Sequence, residues 1–183
     1  MILGNEAIKQ ALATGEIVCS PPPARIETHI DVHLGCDFWV PRSDEIIDMG
    51  SSDPKDHFLP VFGVTKEEPL YLWPNEFCLA HTDEYIGTTV ADIEPHLETR
   101  STVARWGLTV HVSAGIGDAG YCSRWTLELY NHGPSSLMLY PGMRIGLIKF
   151  FRVEGNTALY EGRYNTPDAE WTPDAMLPRR GNV

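Results

Sequence analysis

The chain is short of positive charge: 14 Lys and Arg stand against 25 Asp and Glu, a formal net charge of −11 at pH 7. A nucleic-acid backbone is held by a basic surface that displaces its counterions, so no nucleic-acid partner is expected. A small polyanion is not excluded, because a few arginines and a metal ion can make a local positive site. Long apolar runs are also missing. No stretch reaches the roughly 18 apolar residues that mark a membrane-spanning helix. The opening Met1-Ile2-Leu3-Gly4-Asn5-Glu6 lacks the basic and apolar regions of a signal peptide. A soluble, cytoplasmic protein without a membrane partner is the expectation. Cysteine is sparse: Cys19, Cys36, Cys78 and Cys122 lie far apart with no C-x-x-C, which suggests neither a zinc ribbon nor a disulfide scaffold. Internal repeats and low-complexity segments are absent.

What remains is a chain of 183 residues, 43% hydrophobic, long enough for one domain with a sizeable core. Its 14 Pro and 16 Gly are spread along the sequence, which favours many short strands over a few long helices. Ala7, Ile8, Ala11 and Leu12 share one helical face between a candidate cap at Asn5 and a stop at Gly15. Pro21-Pro22-Pro23 ends any helix there. Ile30 to Val40 predicts a strand, and 50–57 a polar loop. Further strands are expected at 70–73, 76–81, 108–113, 124–131, 136–140 and 145–153, with one short helix at about 101–106. Trp125, Leu127 and Leu129 alternate with Thr126, Glu128 and Tyr130, so Glu128 faces away from the apolar set. The fold class that follows is mainly β, a distorted antiparallel barrel or jelly roll with a few short helices. Residues 167–183 contain Pro167, Pro173 and Pro178 and little periodicity, and read as a mobile tail.

Three segments carry candidate chemistry. His96-Leu97-Glu98 matches the H-x-E half of zinc-dependent nucleobase deaminases, but no P-C-x-x-C follows, so no zinc is expected there. Arg100-Ser101-Thr102 opens the short helix with hydroxyls, backbone N–H groups and a guanidinium together, an anion site or else simply a capped surface helix. Ser113 to Tyr121 has three glycines in nine residues, which lets a ligand approach the backbone near Asp118 and Tyr121 or makes an ordinary turn. Glu128 reads alone as a solvent-facing strand residue paired with a base such as Arg124.

The order of these motifs resembles the dCTP deaminase family of the dCTP deaminase/dUTPase superfamily. Arg100 to Leu108 is similar to its R-S-S-L-A-R-L-G-L motif. Ile30 to Gly35 resembles its I-D-V-R-L-G strand, and Asp118-Ala119-Gly120-Tyr121 its I-D-x-G-[WFY] turn, with Gly117 where Ile is usual. Thr126 to Asn131 resembles the strand bearing the catalytic Glu. Pro141 to Gly146 and Tyr160 to Tyr164 match later landmarks. The likeness runs to about residue 166, implying a deaminase domain at 1–166 and a tail at 167–183.

The resemblance implies hydrolytic deamination of dCTP to dUTP and ammonia without zinc, Glu128 moving the protons. Ser101, Arg105 and Ala114 are then placed about the attacking water and the base. Arg100, Ser101 and Thr102 meet phosphates, with Mg²⁺ carried by the triphosphate. Asp118 binds the 3′-OH and Tyr121 lies under the deoxyribose. Thr126 and Leu127 join Arg105 and Glu128 on the substrate, and Tyr160 and Arg163 close over it. Pro167 stands where the family has a Gln. Simple dUTPases usually lack counterparts of Arg105 and Glu128. Homotrimers with sites at subunit interfaces are implied, since a threefold interface covers open sheet edges.

Alternatives stay open at this point. Ser113-Ala114-Gly115 is closer to the T-A-G of bifunctional members, which go on to form dUMP and pyrophosphate, than to the A-H-R of monofunctional ones. A noncatalytic nucleotide-binding trimer and a structural jelly roll are further readings. Trp106 and Ile116 leave room for a 5-substituted cytosine, and dTTP feedback is undecided.

Overall fold

The computed structural model describes residues 1–42, 46–155 and 157–179. In chain order its elements are α1 (Asn5–Thr14), β1 (Ile17–Ser20), β2 (Ile30–His33), β3 (Phe38–Pro41), α2 (Pro54–His57), β4 (Phe58–Val61), β5 (Leu70–Leu72), β6 (Phe77–Thr88), β7 (Ile93–Thr99), α3 (Ser101–Ala104), β8 (Leu108–Thr109), β9 (Cys122–Asn131), β10 (Leu137–Leu139) and β11 (Arg144–Arg152). Two 3₁₀ turns follow, Asp168–Glu170 and Pro173–Met176. Among the described residues no helix is long and apolar enough to cross a membrane.

The expected mainly-β class is what the chain adopts, but among the described residues the strands form three antiparallel sheets rather than one closed barrel. The largest runs β4-β3-β6-β9-β8, with β1 also on β6; a second runs β2-β11-β7, and β10 pairs with β5. One buried cluster joins the two larger sheets. Ile30, Val32, Leu97, Ile148 and Phe150 come from the three-stranded sheet, and Cys78, Ala80, Ile86, Leu127 and Leu129 from the larger one. Burying each large aliphatic or aromatic side chain stabilises by roughly 1.5–3 kcal/mol. Helix α1 adds Ile8 and Ala11 to this core.

The strand expected over Ile30 to Val40 breaks into two. β2 pairs with β11, whereas β3 pairs with β4 and β6, so the chain changes sheets between them. The corner is held by Leu34 N–H on the Met143 carbonyl and Gly35 N–H on the His81 carbonyl, at 2.9 and 2.8 Å. Strands at β1, β4 and β7, and the second half of β6, were not foreseen from periodicity. β6 carries a register shift between His81 and Tyr85 against β9, so alternation in the sequence fails where the ladder itself slips. Expected strand 108–113 shortens to Leu108–Thr109.

The stretch read as a mobile tail lies against the large sheet. Met176 and Leu177 are buried with Trp39, Phe58 and Leu79, and Trp171 packs beside them. Trp39 Nε1 donates to the Pro173 carbonyl at 2.9 Å, and Lys55 pairs with Asp174. Residues 180–183 of that stretch lie outside the described residues.

Candidate active site

The alternation read over 125–130 holds across β9: Trp125, Leu127, Leu129 and Asn131 are buried, while Arg124, Thr126, Glu128 and Tyr130 are half-buried on the opposite face. On that face lies a cavity of about 430 Å³. Its walls include Ala114, Asp118, Tyr121, Thr126, Glu128 and Tyr160, six of the residues expected at the site.

Glu128 is fixed by an exchange with the segment after β8. Its N–H donates to the Val110 carbonyl at 2.9 Å, and its Oε2 accepts the Val112 N–H at 2.9 Å. The ladder of β8 on β9 ends at Thr109, and the carboxylate takes the place of the next backbone acceptor. A charged acceptor makes such a bond stronger than its neutral counterpart, so the side chain is held at the cavity wall.

The Gly-rich loop is laid along β7. Leu97 N–H donates to the Gly115 carbonyl at 2.6 Å, and Gly117 N–H to the Pro95 carbonyl at 2.9 Å. The turn after it closes through Tyr121 N–H on the Asp118 carbonyl at 2.9 Å, with Gly120 at φ 88°, a left-handed conformation that favours glycine. The Tyr121 ring then stands edge-on to Trp125 at 4.9 Å and to Tyr160 at 5.6 Å. Burial, more than any neighbour, pushes the Tyr121 phenol above its ordinary pKa, so it stays a neutral hydroxyl.

Gly117, the departure from the family pattern, has a local cause. A Cβ there would come within 2.6 Å of the Trp125 ring and 2.9 Å of the Tyr121 ring. Trp125 cannot withdraw, because its indole N–H donates to the buried Ile86 carbonyl at 2.9 Å.

Other expected residues lie elsewhere in the chain. Leu127 is fully buried in the core, pointing away from the cavity. Ser101, Thr102 and Arg105 are exposed on and after α3. Arg100 forms an ion pair with Asp31, which also meets Arg144 at 3.4 Å. Three motifs distant in sequence thus converge on one carboxylate. Arg163 is exposed and donates to the Arg179 carbonyl at 3.4 Å. The H-x-E decoy is structural: on β7, His96 pairs with Glu94 and its ring packs at a tilt against Phe151, 4.4 Å between centroids.

Arg124, Tyr164, Ala175, Met176 and Pro178 also wall the cavity and have no counterpart among the residues expected from the sequence. Arg124 pairs not with Glu128 but with Asp168, at 3.0 Å, and its guanidinium lies 5.7 Å from the Trp171 ring centre. Trp171, Met176 and Leu177 were the signal, an apolar set inside a stretch otherwise taken as tail.

The arrangement is the Glu128 carboxylate at the wall of a cavity sized for a small ligand, with Asp118 on the neighbouring turn and aromatic rings set edge-on beside it. Among solved structures, the 2′-deoxycytidine 5′-triphosphate deaminase of Agrobacterium tumefaciens has a similar fold, with a TM-score of 0.60 at 16% identity. That likeness covers 81% of this chain and 46% of the other, so this chain spans less than half of that protein's length. The chain therefore shares the fold of that protein. The dCTP deaminase-like family model matches residues 2–153, and the chain belongs to that family. A relative in Methanobrevibacter smithii, a dUMP-forming dCTP deaminase, is 36% identical over 157 residues, 81% of this chain and 79% of its own. The dCTP deaminase of Thermomicrobium roseum is 36% identical over 152 residues, 79% of this chain and 76% of its own. A dUMP-forming relative in Salinispora arenicola is 32% identical over 98% of this chain and the whole of its own.

Proposed function

We propose that this chain deaminates dCTP and then cleaves the bound dUTP to dUMP and pyrophosphate. The dUTP-releasing reading preferred from the sequence gives way to this second one because relatives from several lineages bear the dUMP-forming name. The observation that carries the deaminase half is Glu128, held by Val112 N–H at the wall of the cavity.

Replacing the C4 amino group with oxygen needs a water made nucleophilic and an ammonia made a good leaving group. Glu128 would take a proton from the water and pass one to the departing nitrogen, a role typically worth roughly 10²–10⁴-fold. Zinc is not needed for that step. Asp118 would accept the 3′-OH, and the Tyr121 face would underlie the sugar. Thr126 and the backbone of Ala114 and Leu127 would line the base, with Tyr160 and Arg163 covering it.

Arg100, Ser101, Thr102 and Arg105 would complete the site from a neighbouring copy in a homotrimer. The exposure of Ser101, Thr102 and Arg105, and the place of all four away from the wall of this chain's own cavity, supports that reading. The donors at the start of α3 suit phosphate oxygens and not a hard cation, which fits Mg²⁺ arriving on the triphosphate.

Phosphorus NMR of a dCTP reaction tests the proposal. Pyrophosphate appearing with dUMP and no build-up of dUTP is the expected result. Accumulating dUTP would return the chain to the monofunctional reading.

A further inference from the structure

We propose that Cys36, Asp37 and His81 form a three-ligand site for a zinc ion, outside the deamination cavity, at the corner between β2 and β3. The chain change of sheet brings this corner against β6. One ligand atom from each residue then lies within 4.8 Å of the others. A thiolate, an imidazole and a carboxylate make a donor set that zinc accepts in tetrahedral geometry, leaving a fourth position for water.

Two of the three ligands are already oriented by their surroundings. His81 Nδ1 lies 2.9 Å from the Thr82 carbonyl, which requires the proton on Nδ1 and leaves the lone pair on Nε2. Nε2 faces Asp37 Oδ2 at 3.7 Å and receives only a long 3.4 Å contact from the Asp37 N–H. Asp37 Oδ1 accepts the Gly63 N–H at 2.9 Å, which leaves Oδ2 turned toward the imidazole. Such outer contacts fix a ligand's rotamer in advance and are characteristic of metal-binding histidines.

The imidazole is also locked by packing. Its ring lies on Gly35, where a Cβ would come within 2.0 Å, and Trp171 covers it at 4.5 Å between centroids. His81 is 4% exposed at the side chain, Asp37 18%, so the imidazole is fixed from inside while the carboxylate and thiol admit an ion from solvent. Sequence spacing hides the set, since Cys36-Asp37 lie in the corner after β2 and His81 on the distant β6. The site does not depend on the proposed chemistry at Glu128.

The test uses the full chain, stripped with a chelator and titrated with Co²⁺ under reducing conditions. One Co²⁺ per chain is expected, with a thiolate-to-cobalt charge-transfer band in the near ultraviolet that Zn²⁺ displaces and a change in Trp171 fluorescence. C36S should lose the band. D37N, altered at a part-exposed carboxylate, should weaken binding by at least the roughly tenfold that losing a mere outer partner costs. No thiolate band in the unmutated protein, or one that persists in C36S, would overturn the proposal. Unchanged affinity in D37N would remove Asp37 from the set and overturn the three-ligand form.

Discussion

Gly117 and Trp125 occupy adjoining space so closely that a Cβ on Gly117 would stand 2.6 Å from the indole ring. The indole is held by its bond to the Ile86 carbonyl and by Tyr121 at its edge. A substitution here cannot be absorbed by a flexible neighbour. Gly117→Ala should destabilise the fold by about 1–3 kcal/mol, the range of overpacking in a tight interior. Trp125→Phe removes the atoms in the way, so the alanine should cost less in that background, which a double-mutant cycle in urea would read. Additive costs would show that the loop moves aside instead.

Glu128→Gln should abolish ammonia release while dCTP still binds. The amide keeps the size of the side chain and an oxygen to accept the Val112 N–H, but it can neither take a proton from water nor pass one to the leaving nitrogen. A fall of at least about 10²-fold in kcat is expected from steady-state ammonia assays. Turnover near that of the unmutated protein would remove the mechanism.

If α3 of one copy meets Glu128 of another, two dead variants should rescue each other. Arg105→Ala and Glu128→Gln, each inactive alone, should regain activity when co-refolded as mixed trimers. Random assembly in equal amounts gives intact sites at about a quarter of the total. Mixed trimers as inactive as either parent would place the whole site within one chain.

Tyr121 should decide the sugar. Its ring is braced by Trp125 and Tyr160, so a sugar lying on it would meet a rigid face, and rejection by clash is effective against a larger substrate. dCTP should be strongly preferred over CTP in kcat/KM. Tyr121→Ala should narrow the gap by admitting CTP, whereas Asp118→Ala should weaken both. Equal use of the two nucleotides by the unmutated protein would show that this turn is only a turn.

Cys78 sets part of the alkaline limit. It is fully buried in the core, and burial, with a smaller contribution from Glu76, pushes its thiol from an ordinary 9.0 up to about 12. The folded pKa is raised above the unfolded one, so this contribution is intact below about pH 9 and is lost as pH rises from 9 toward 12. One such group steepens the loss by at most about 1.4 kcal/mol per pH unit. Cys19 and Cys122, held up to about 12 and about 11 by burial, act in the same sense. Cys78→Ala should flatten the limb measured by denaturant melts between pH 9 and 11. An unchanged slope would assign the limit to other groups.

Periodicity in the sequence determined the faces of β9 and the short helix α1, because a strand exposed on one side and a helix on a core must alternate or repeat. The ordered motifs likewise pointed to Asp118, Tyr121 and Glu128, which the fold brings to the wall of one cavity. Tertiary structure alone decided the rest. Where Ile30 to Val40 leaves one sheet for another depends on partners from β6 and β11, which no local pattern contains. The packing of Trp171, Met176 and Leu177 on the large sheet depends on an apolar patch formed by β3, β4 and β6. Gly117 is intelligible only beside Trp125, and Cys36, Asp37 and His81 meet only because the corner after β2 folds onto β6. Local preference sets which way a side chain faces; what it faces is fixed by contacts between segments distant in the chain, which form only when the whole core closes.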